Sequence, residues 1–485
     1  MLKVKFKIGL FVFFILFCNL KIYSAKTFFM PRPILQDIVL QKNISRNFVN
    51  KIYDNGGLKI LGTLFYKESE DSDKLTKYFF PTNKLELSVF GPDVYGTPDI
   101  SSTWLAITDE DENFLTNFSS KIKISPKQKN YGLNLQIFKN LNFLNKRVFI
   151  SLSMPFTQVE TDLNFSEFEK SVTLNNMPLD ASDKYFSANA TEAFNHKLLS
   201  YSKMKDGVQK LAGLSDIKIA IDGIIKCSNL VFIDLYGFGI VPTGYKPKAE
   251  YLFEPIVGNG KHFGLGGGSY LNVDFVKSKN KKLAFTLGAE YQYLFKNSYL
   301  RTFDLTNNGD LSRYLSVSGN DQTGFFRLAN ITTLKTDVTP RSSINIFTDF
   351  VYSYKNINVM VGYNFWRRDH EKLKLNESFS ENYAIRGVDT TIGFNPDNYY
   401  PDAKISDNQI NRPVDTFTAI KQSDLNLDSA KVESVMSNKL YLNFGFEGKI
   451  KNDKCWTTLG FDYELADKNS ALSGWSIYLL CGVSI

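Results

Sequence analysis

Hydrophobic and polar residues alternate most regularly at the end of the sequence, over residues 474–485. One side of this stretch carries Trp475, Ile477, Leu479, Cys481, Val483 and Ile485, and the other carries Ser476, Tyr478, Leu480, Gly482 and Ser484. Successive side chains of a β-strand point to opposite faces, so the pattern predicts a strand with one continuous apolar face. Strands of this kind build membrane β-barrels, whose outer face meets lipid and whose inner face meets water.

The same alternation recurs in many other segments. It is clear over residues 285–293, 357–365, 440–447 and 458–464, and shorter over residues 131–137, 148–154, 217–223 and 271–275. A first strand at residues 58–66 and eleven more between Tyr131 and Ile485 give a total of twelve. Residues 84–90 and 121–125 would raise the total to fourteen. The sequence therefore predicts an all-β fold, a transmembrane antiparallel up-and-down β-barrel of about twelve strands.

The connections between the predicted strands alternate in length. Short ones lie near residues 141–146, 226–229, 277–281, 355 and 451–454, and long loops lie near residues 67–129, 156–214, 297–339 and 367–437. Outer-membrane barrels have tight periplasmic turns and extended extracellular loops, so twelve strands fit better than fourteen. Within the long loops, residues 191–211 have the spacing of an amphipathic helix that covers or enters the lumen, and residues 428–438 are a second helix candidate.

The first residues have the layout of an export signal. Lys3, Lys5 and Lys7 precede an apolar run over residues 8–20, and Ala25 offers a cleavage point. The run is too short for a comfortable spanning helix. We divide the chain into a signal peptide (1–25), an N-terminal periplasmic or luminal segment (26–57), and the barrel with its loops (58–485). The expected location is the bacterial cell outer membrane.

Composition and charge exclude several classes of protein. The chain is 43% hydrophobic, yet its mean hydropathy is −0.20, as expected when half of each strand faces water. Residues 1–25 hold four lysines and no acid, so the mature chain carries +3 of the formal +7, and no nucleic-acid partner is expected. The three remaining cysteines, Cys227, Cys455 and Cys481, have no CxxC spacing and predict neither a disulfide framework nor a zinc site.

Three short glycine-containing motifs stand close together in the middle of the chain. They are Gly213-Leu-Ser-Asp216, Pro242-Thr243-Gly244, and Gly258-Asn-Gly260 ahead of a glycine-rich stretch at residues 264–268. Together they resemble the porin-like outer-membrane channel family associated with the meta-pathway of phenol degradation. Ser215 stands where that family often has a second glycine. The resemblance implies a Gram-negative outer-membrane β-barrel channel, but it does not imply an aromatic substrate.

Acidic residues fall on the polar side of several predicted strands. They are Asp222, Asp234, Asp274, Glu290, Asp349, Glu447, Asp462 and Glu464. Charged residues are tolerated at membrane depth where they face water or a partner, so we expect these acids to line the lumen. Two interpretations stay open: an acidic lumen that favours cations, and a lumen filled by loops whose Lys and Arg residues pair with the acids. Lys218 is the clearest inward cation.

Enzyme chemistry has little basis in the sequence. No Gly-x-Ser-x-Gly, phosphate-loop or His-Glu-x-x-His pattern occurs, and no metal or cofactor is expected. His370 lies in a charged cluster at the end of a predicted strand, where a barrel hydrolase would place a base. A charged cluster at the lipid head-group boundary is the simpler interpretation.

The main functional hypothesis is an outer-membrane porin-like channel for passive uptake of small solutes, without enzyme activity. A closed structural or adhesive surface barrel that acts through its loops is the alternative, followed by a barrel hydrolase. The expected partners are outer-membrane lipid, the barrel-assembly machinery and small solutes.

Overall fold

Twelve of the described strands close into an antiparallel barrel, as the sequence predicted. The computed structural model describes residues 25–40, 57–81, 84–108, 114–141, 148–171, 187–228, 230–278, 280–320, 325–387, 403–406, 417–450, 453–467 and 471–485. The barrel strands are β1 (Leu58–Glu70), β2 (Lys127–Leu141), β3 (Val148–Asp162), β4 (Ile217–Lys226), β5 (Val231–Val241), β6 (Gly264–Lys277), β7 (Lys281–Leu294), β8 (Arg341–Tyr354), β9 (Ile357–Arg368), β10 (Val435–Ile450), β11 (Asp453–Ala466) and β12 (Ser473–Ser484).

Strands that are adjacent in sequence are also adjacent in the barrel, and β1 pairs with β12 to close it. In this closing pair Lys59 lies opposite Ser484, and Glu70 lies opposite Ser473. We call the end with Lys59 and Ser484 the turn end, because the short connections join strands there. The opposite end carries the long connections, together with the short link between β11 and β12, and is called the cap end. The alternation of short and long connections is as predicted, although β1, β2 and β3 extend into the first two predicted loops.

A short thirteenth strand interrupts the barrel wall. Gln209–Leu214 pairs with the cap-end half of β3, and β4 pairs with the turn-end half of the same strand. Ser215 and Asp216 separate the two pieces, and the backbone N–H of Ser215 donates to the carbonyl of Pro155 at 2.8 Å. The wall is therefore kinked where the first of the three glycine motifs lies.

Both helices predicted in the long loops are wrong. Within residues 187–214, all of which the structure describes, the helix is confined to Ala190–Asn195, and the end of the predicted helix is strand. Ser202 and Gly207 have positive φ angles of 57° and 84°, which a continuous right-handed helix cannot contain. At residues 428–438, a 3-10 turn ends at Ala430 and β10 then begins at Val435.

Inside the barrel, aromatic rings lie against glycines that are directly opposite them on the next strand. A Cβ atom on any of these glycines would come within 2.0–2.4 Å of the opposing side chain. The pairs are Gly266 with Phe238, Gly268 with Tyr236, Gly288 with Phe347, Gly362 with Tyr441, Gly460 with Tyr478, and Gly482 with Trp456. The glycines let each ring lie along the wall, as in the aromatic rescue of glycine in β-sheets.

The outer face of the barrel is apolar. Leu440, Val361 and Phe444 are 63%, 55% and 52% exposed, although such residues are normally buried in water-soluble proteins. Aromatic bands flank this surface, with Trp475 5.5 Å from Tyr66 toward the cap end and a row of three phenylalanines toward the turn end (Phe275, Phe285 and Phe350). Such bands are the interfacial girdles of membrane barrels.

The long connections fold together into a lobe that we call the cap. Its helices are α1 (Ser72–Phe79), α2 (Ala190–Asn195) and α3 (Leu328–Thr332), and its 3-10 turns are Ser312–Tyr314, Gln422–Asp424 and Leu427–Ala430. Its sheets comprise Glu86–Phe90, Ile100–Ser101, Ser119–Lys123 and Ser166–Ser171; Asn297–Thr302, Thr333–Thr339 and Lys372–Leu375; Ser316–Gly319, Phe326–Arg327 and Tyr383–Ile385; and Asp304–Leu305 with Leu425–Asn426. The two segments that would have made fourteen barrel strands belong to the first cap sheet.

An apolar core holds the cap together. Phe79 and Phe194 are fully buried in it, and the ring of Phe194 packs edge-on against Tyr314 with centroids 4.8 Å apart. No helix in the described part of the chain is long and apolar enough to cross a membrane.

Candidate functional site

The lumen contains the first described residues of the chain, 25–40, which we call the plug segment. Its start is held under the cap, where the backbone N–H groups of Lys26 and Thr27 donate to the carbonyls of Tyr78 and Ser429, both at 3.0 Å. Its end lies deeper in the barrel, where the side-chain amide of Asn134 is 3.5 Å from the carbonyl of Leu40. The plug segment therefore runs inside the barrel from the cap toward the turn end. Residues 1–24, which hold most of the predicted signal peptide, and residues 41–56 lie outside the described part of the chain.

Arg32 is the main polar anchor of the plug segment. Its guanidinium donates to Glu464 on β11, Asn345 on β8 and Asn364 on β9, each at 2.9 Å. The same group lies 5.1 Å from the ring centre of Trp366. A short 3-10 turn, Ile34–Gln36, brings the Gln36 carbonyl back to Arg32 at 2.8 Å. One arginine thus connects the plug segment to three strands of the wall.

A compact cluster of charges surrounds this anchor. Lys439 on β10 is fully buried and lies 2.5 Å from Asp37 of the plug segment, 3.2 Å from Asp462 and 3.6 Å from Glu464. Lys67 on β1 lies 2.5 Å from Glu464. With Arg32 the cluster holds three bases and three acids, so it is electrically neutral. Neutral, hydrogen-bonded groups of this kind are the form in which charge is tolerated away from bulk water.

The balance of charge also holds for each component of the cluster. The plug segment contributes one base and one acid, Arg32 and Asp37. The wall contributes two of each sign, with Lys67 and Lys439 facing Asp462 and Glu464. Withdrawal of the plug segment would therefore leave no net charge behind on the wall of this cluster.

A second ion pair lies on the opposite side of the lumen. Lys218 on β4 contacts both carboxylate oxygens of Glu290 on β7 at 2.9 and 2.8 Å. The hydroxyl of Tyr236 donates to the same carboxylate at 2.8 Å. The Lys218 ammonium also lies 3.7 Å from the ring centre of Phe238, which lies along the wall beside it.

The other predicted lumen acids lie on the inward side of their strands and apart from the plug segment. Asp222 accepts a hydrogen bond from Ser151, Asp274 pairs with Lys282 and Lys277, Asp349 accepts from Tyr441, Glu447 accepts from Asn358, and Asp234 is buried. Asp462 and Glu464 are the two that contact the charge cluster directly. The cations that pair with the acids come from the wall and the plug segment, not from a helix at residues 191–211.

The three glycine motifs meet at one carboxylate. Asp216 accepts backbone hydrogen bonds from Gly244 at 3.3 Å and from Asn259 at 2.7 Å, and the hydroxyl of Thr243 donates to the carbonyl of Ser215. Gly258 has a φ of +91°, and a Cβ there would come within 3.0 Å of the Asp216 carboxylate. Asp216 therefore ties the loop between β5 and β6 to the kink in the wall.

The other glycines of the motifs make close contacts with side chains. A Cβ on Gly213 would come within 2.5 Å of the ring of Tyr245, which follows Pro242, Thr243 and Gly244 in the same loop. A Cβ on Gly260, whose φ is +81°, would come within 3.3 Å of Met30 in the plug segment. The motif loop thus also covers the plug segment.

A buried hydrogen-bond relay runs from this loop toward the cap. Arg301 donates to Glu371 at 2.9 Å and to the hydroxyl of Tyr299 at 3.0 Å, and that hydroxyl lies 3.3 Å from Nε2 of His262. The other ring nitrogen of His262 lies 2.7 Å from the carbonyl of Phe295. The relay is satisfied when His262 is neutral with its proton on Nδ1. Burial lowers the pKa of His262 to about 4, which favours the same neutral form.

Among the described residues, the neighbour that the side chain of His370 contacts is another base. In the described part of the chain, its ring contacts the guanidinium of Arg341 at 3.2 Å, and burial followed by the charges of Lys431 and Arg341 lowers its pKa. A base that activates a nucleophile needs that nucleophile within hydrogen-bond distance. Among the described residues there is also no group of three or more His, Cys, Asp or Glu side chains placed to bind a metal.

Sequence reasoning missed four of the charged groups that matter most: Arg32, Asp37, Lys67 and Lys439. A signal for Lys439 was present, because it alternates with Leu440 and shares the inward side of β10 with Tyr441 and Asn443. Lys67 lies one residue beyond the predicted end of its strand. Arg32 and Asp37 carried no periodic signal.

Comparisons with known proteins place similar folds among bacterial outer-membrane barrels. No protein-family model matches the chain, and no curated protein matches it. An outer-membrane channel from Pseudomonas putida F1 is 9% identical over 88% of this chain and 96% of that chain, with a TM-score of 0.39. The transport unit of the autotransporter AIDA-I from Escherichia coli is 7% identical over 89% and 90%, with a TM-score of 0.35. A FadL homologue from Pseudomonas aeruginosa is 7% identical over 89% and 90%, with a TM-score of 0.27.

Outer-membrane channels, the class that the glycine motifs predicted, are thus present among the matched structures. At these identities and TM-scores no residue of the lumen can be assigned from a matched structure. A shared fold does not by itself transfer a function.

Proposed function

We propose that this protein is an outer-membrane channel for passive uptake of small solutes, and that the plug segment closes the pathway in the conformation described above. The observation that carries the proposal is the charge balance of the cluster around Arg32. The plug segment brings one base and one acid, Arg32 and Asp37, to a wall that already holds two of each sign. Withdrawal of these two residues leaves the wall part of the cluster neutral, which favours a reversible gate. The remaining charge of the segment, Lys26, pairs at 2.9 Å with Glu433, which is partly exposed and can be solvated when the segment leaves.

The shape of the wall supports the same function. The six aromatic rings that oppose glycines lie along the wall, so the space at the centre of the barrel is filled by a separate segment of sixteen residues. The polar anchors of that segment, including Asn345 and Asn364, can bond to water in its absence. Displacing the plug segment would therefore expose these polar groups to water, together with wall aromatics such as Phe347 and Tyr441 that share a buried apolar cluster with its Ile38.

Deletion of residues 26–40 behind an intact signal sequence tests the proposal. Wild-type protein in planar lipid bilayers should conduct poorly, and the deletion variant should conduct several-fold better, because the lumen is emptied. The slower migration of a heated gel sample relative to an unheated one reports that the deleted barrel still folds. A folded deletion variant that stays closed would contradict the channel proposal.

A milder variant removes one anchor and leaves the plug segment in place. Arg32→Met removes the contacts with Glu464, Asn345 and Asn364. The variant channel should therefore open more often than the wild-type channel. Lys431→Met is a matched control, since Lys431 pairs with Asp428 on the surface of the cap. Its conductance should equal that of wild type.

The second candidate is a closed surface barrel that acts through its cap. It is favoured by the apolar core of the cap and by the fully buried ion pair between Arg313 and Asp304 at 2.6 Å, which together make the cap a stable folded unit. In this case the deletion variant would not conduct, and removal of the cap would abolish surface binding. Either candidate requires the protein to fractionate with the outer membrane rather than with soluble periplasmic proteins.

A further inference from the structure

A small cavity lies between the plug segment and the barrel wall, and four members of the charge cluster line it (Arg32, Asp37, Lys67 and Glu464). Its volume is about 40 Å³, room for about three water molecules or a short organic ion. It is surrounded by the plug segment, the cap ends of β1, β2 and β9, and the start of β12. Three cations and two carboxylates line it: Arg32, Lys67, Arg368, Asp37 and Glu464. The other lining residues include Ser69, Gln128, Asn130, Val435 and Leu472.

Arg368 is the cation in this cavity that forms no ion pair among the described residues, although the charge of Glu371 acts on it from a greater distance. It is 5% exposed, and its guanidinium donates one hydrogen bond, from Nη2 to the carbonyl of Met30 at 3.1 Å. Among the described residues, Nε has no partner and no carboxylate oxygen lies within 4.0 Å of the guanidinium. Glu371, the next acid along the chain, already accepts from Arg301 and from the backbone of Val432. A bound anion would give Nε a partner and would balance the lining of the cavity, which holds three cations and two carboxylates.

The other lumen cations described above each contact at least one carboxylate, whereas Arg368 contacts none among the described residues. Lys439 lies within 3.6 Å of three carboxylates, and Arg32 bonds to Glu464 and to two asparagines. Lys218 holds both oxygens of Glu290. Arg368 is therefore the cation of this cavity at which an added carboxylate would meet an N–H group without a partner.

The geometry of arginine and the composition of the cavity indicate the chemical class of the anion. A guanidinium presents a planar fork of N–H groups that matches the two oxygens of a carboxylate. Ser69, Gln128 and Asn130 add hydrogen-bonding groups to the lining, and Leu472 and Val435 add apolar surface. A short carboxylate with a small alkyl part fits both surfaces.

We infer that the cavity binds a small monovalent carboxylate of about two or three carbons, with its oxygens on Arg368 and its alkyl part against Leu472 and Val435. As a statement about the transported solute, this inference rests on the proposed channel function. Binding itself takes place in the closed protein and can be measured without any transport.

Acetate is the probe for wild-type protein in detergent micelles, at constant ionic strength. Titration calorimetry should give saturable binding of one acetate, and saturation-transfer NMR should show contact with its methyl group. Acetamide has the same shape without the charge and should not bind. Absence of saturable acetate binding overturns the inference, and chloride that binds as tightly as acetate overturns the assignment to carboxylates.

Two neighbouring arginines provide the matched variants. Arg368→Met should weaken acetate binding at least about tenfold, because a charge-assisted pair of hydrogen bonds is lost. Arg367→Met alters the exposed, outward neighbour on the same strand and should bind acetate as wild type does. Equal binding by the two variants would overturn the location. If Arg368→Met fails to fold, the comparison of acetate with acetamide and chloride in wild type still decides the inference.

The outcome is separable from that of the channel proposal. Acetate binding in a protein whose deletion variant does not conduct would leave the binding site standing and remove its link to transport. Conductance by the deletion variant without acetate binding to wild type would support the channel and overturn the site.

Discussion

The barrel and the cap differ in which side chains they bury and which they expose. In the barrel, Lys439 is fully buried whereas Leu440, its neighbour in sequence, is 63% exposed; in the cap, Phe194 is fully buried. The difference follows from the medium outside, because lipid accepts the apolar face of a strand whereas water does not. A buried position can therefore hold a charged side chain in the barrel, whereas the core that holds the cap together is apolar. The same substitution should act differently in the two regions.

The largest effect is expected where charge is buried in the lumen. Lys439→Met leaves Asp37, Asp462 and Glu464 with Lys67 and Arg32 alone, and loss of one partner from a buried ion cluster costs about 3–5 kcal/mol. The free energy of unfolding in urea measures the loss. Lys431→Met, at a surface ion pair in the cap, should change it little. Equal losses would contradict the contrast between buried and exposed charge.

A loss of similar size is expected in the cap, but it should stay there. Phe194→Ala removes a ring packed between Tyr314 and Phe165 and should cost about 3–5 kcal/mol. Protease cleavage within the cap loops should increase, while the heat-dependent gel migration of the barrel stays unchanged. Tyr95→Ala, at a fully exposed residue of the cap, is the control. Loss of gel migration in Phe194→Ala would mean that the two regions unfold as one unit.

A charge added to the outer face of the barrel tests directly whether that face meets lipid. Val361 is 55% exposed near the middle of the apolar outer surface, so Val361→Arg should cost about 2–4 kcal/mol in lipid. Tyr95→Arg places the same side chain on the exposed surface of the cap and should be neutral. Refolding yields into lipid vesicles, with and without urea, measure both variants. A neutral Val361→Arg would show that this face does not meet lipid.

The smallest effect is a pH dependence of the loop over the plug segment. The pKa of His262 is lowered in the fold from 6.5 to about 4, so its stabilising contribution is present above pH 6.5 and is lost as the pH falls toward 4. Protease protection of the loop between β5 and β6 should fall over that range. His262→Gln should remove this part of the pH dependence.

Glu254 in the same loop contributes a pH dependence of the opposite sign. Burial raises its pKa from 4.5 to about 7, so its contribution falls as the pH rises through that range. The difference between His262→Gln and wild type therefore isolates the histidine. If the two proteins have the same pH profile, His262 does not control the loop.

The barrel could be predicted because its signal is local. In β11, Leu459 and Phe461 alternate with Gly460 and Asp462, so the facing of each residue is readable from its neighbours. The contacts across the lumen cannot be identified from neighbouring residues in this way, since Arg32 and Glu464, for example, are 432 positions apart. The helix predicted at residues 191–211 failed for the same reason: its apolar residues, such as Leu199 and Met204, pack into a cap assembled from several loops.

The position of the plug segment constrains the order of assembly. Its wall partners Asn345, Asn364, Lys439 and Glu464 follow it by 313–432 residues, and the barrel closes only when the first strand meets the last. Contacts between such distant positions form late, because a long loop must be closed before they are gained. The plug segment should therefore settle after the wall is complete, as a separate slow phase of folding that a chain beginning at β1 would lack.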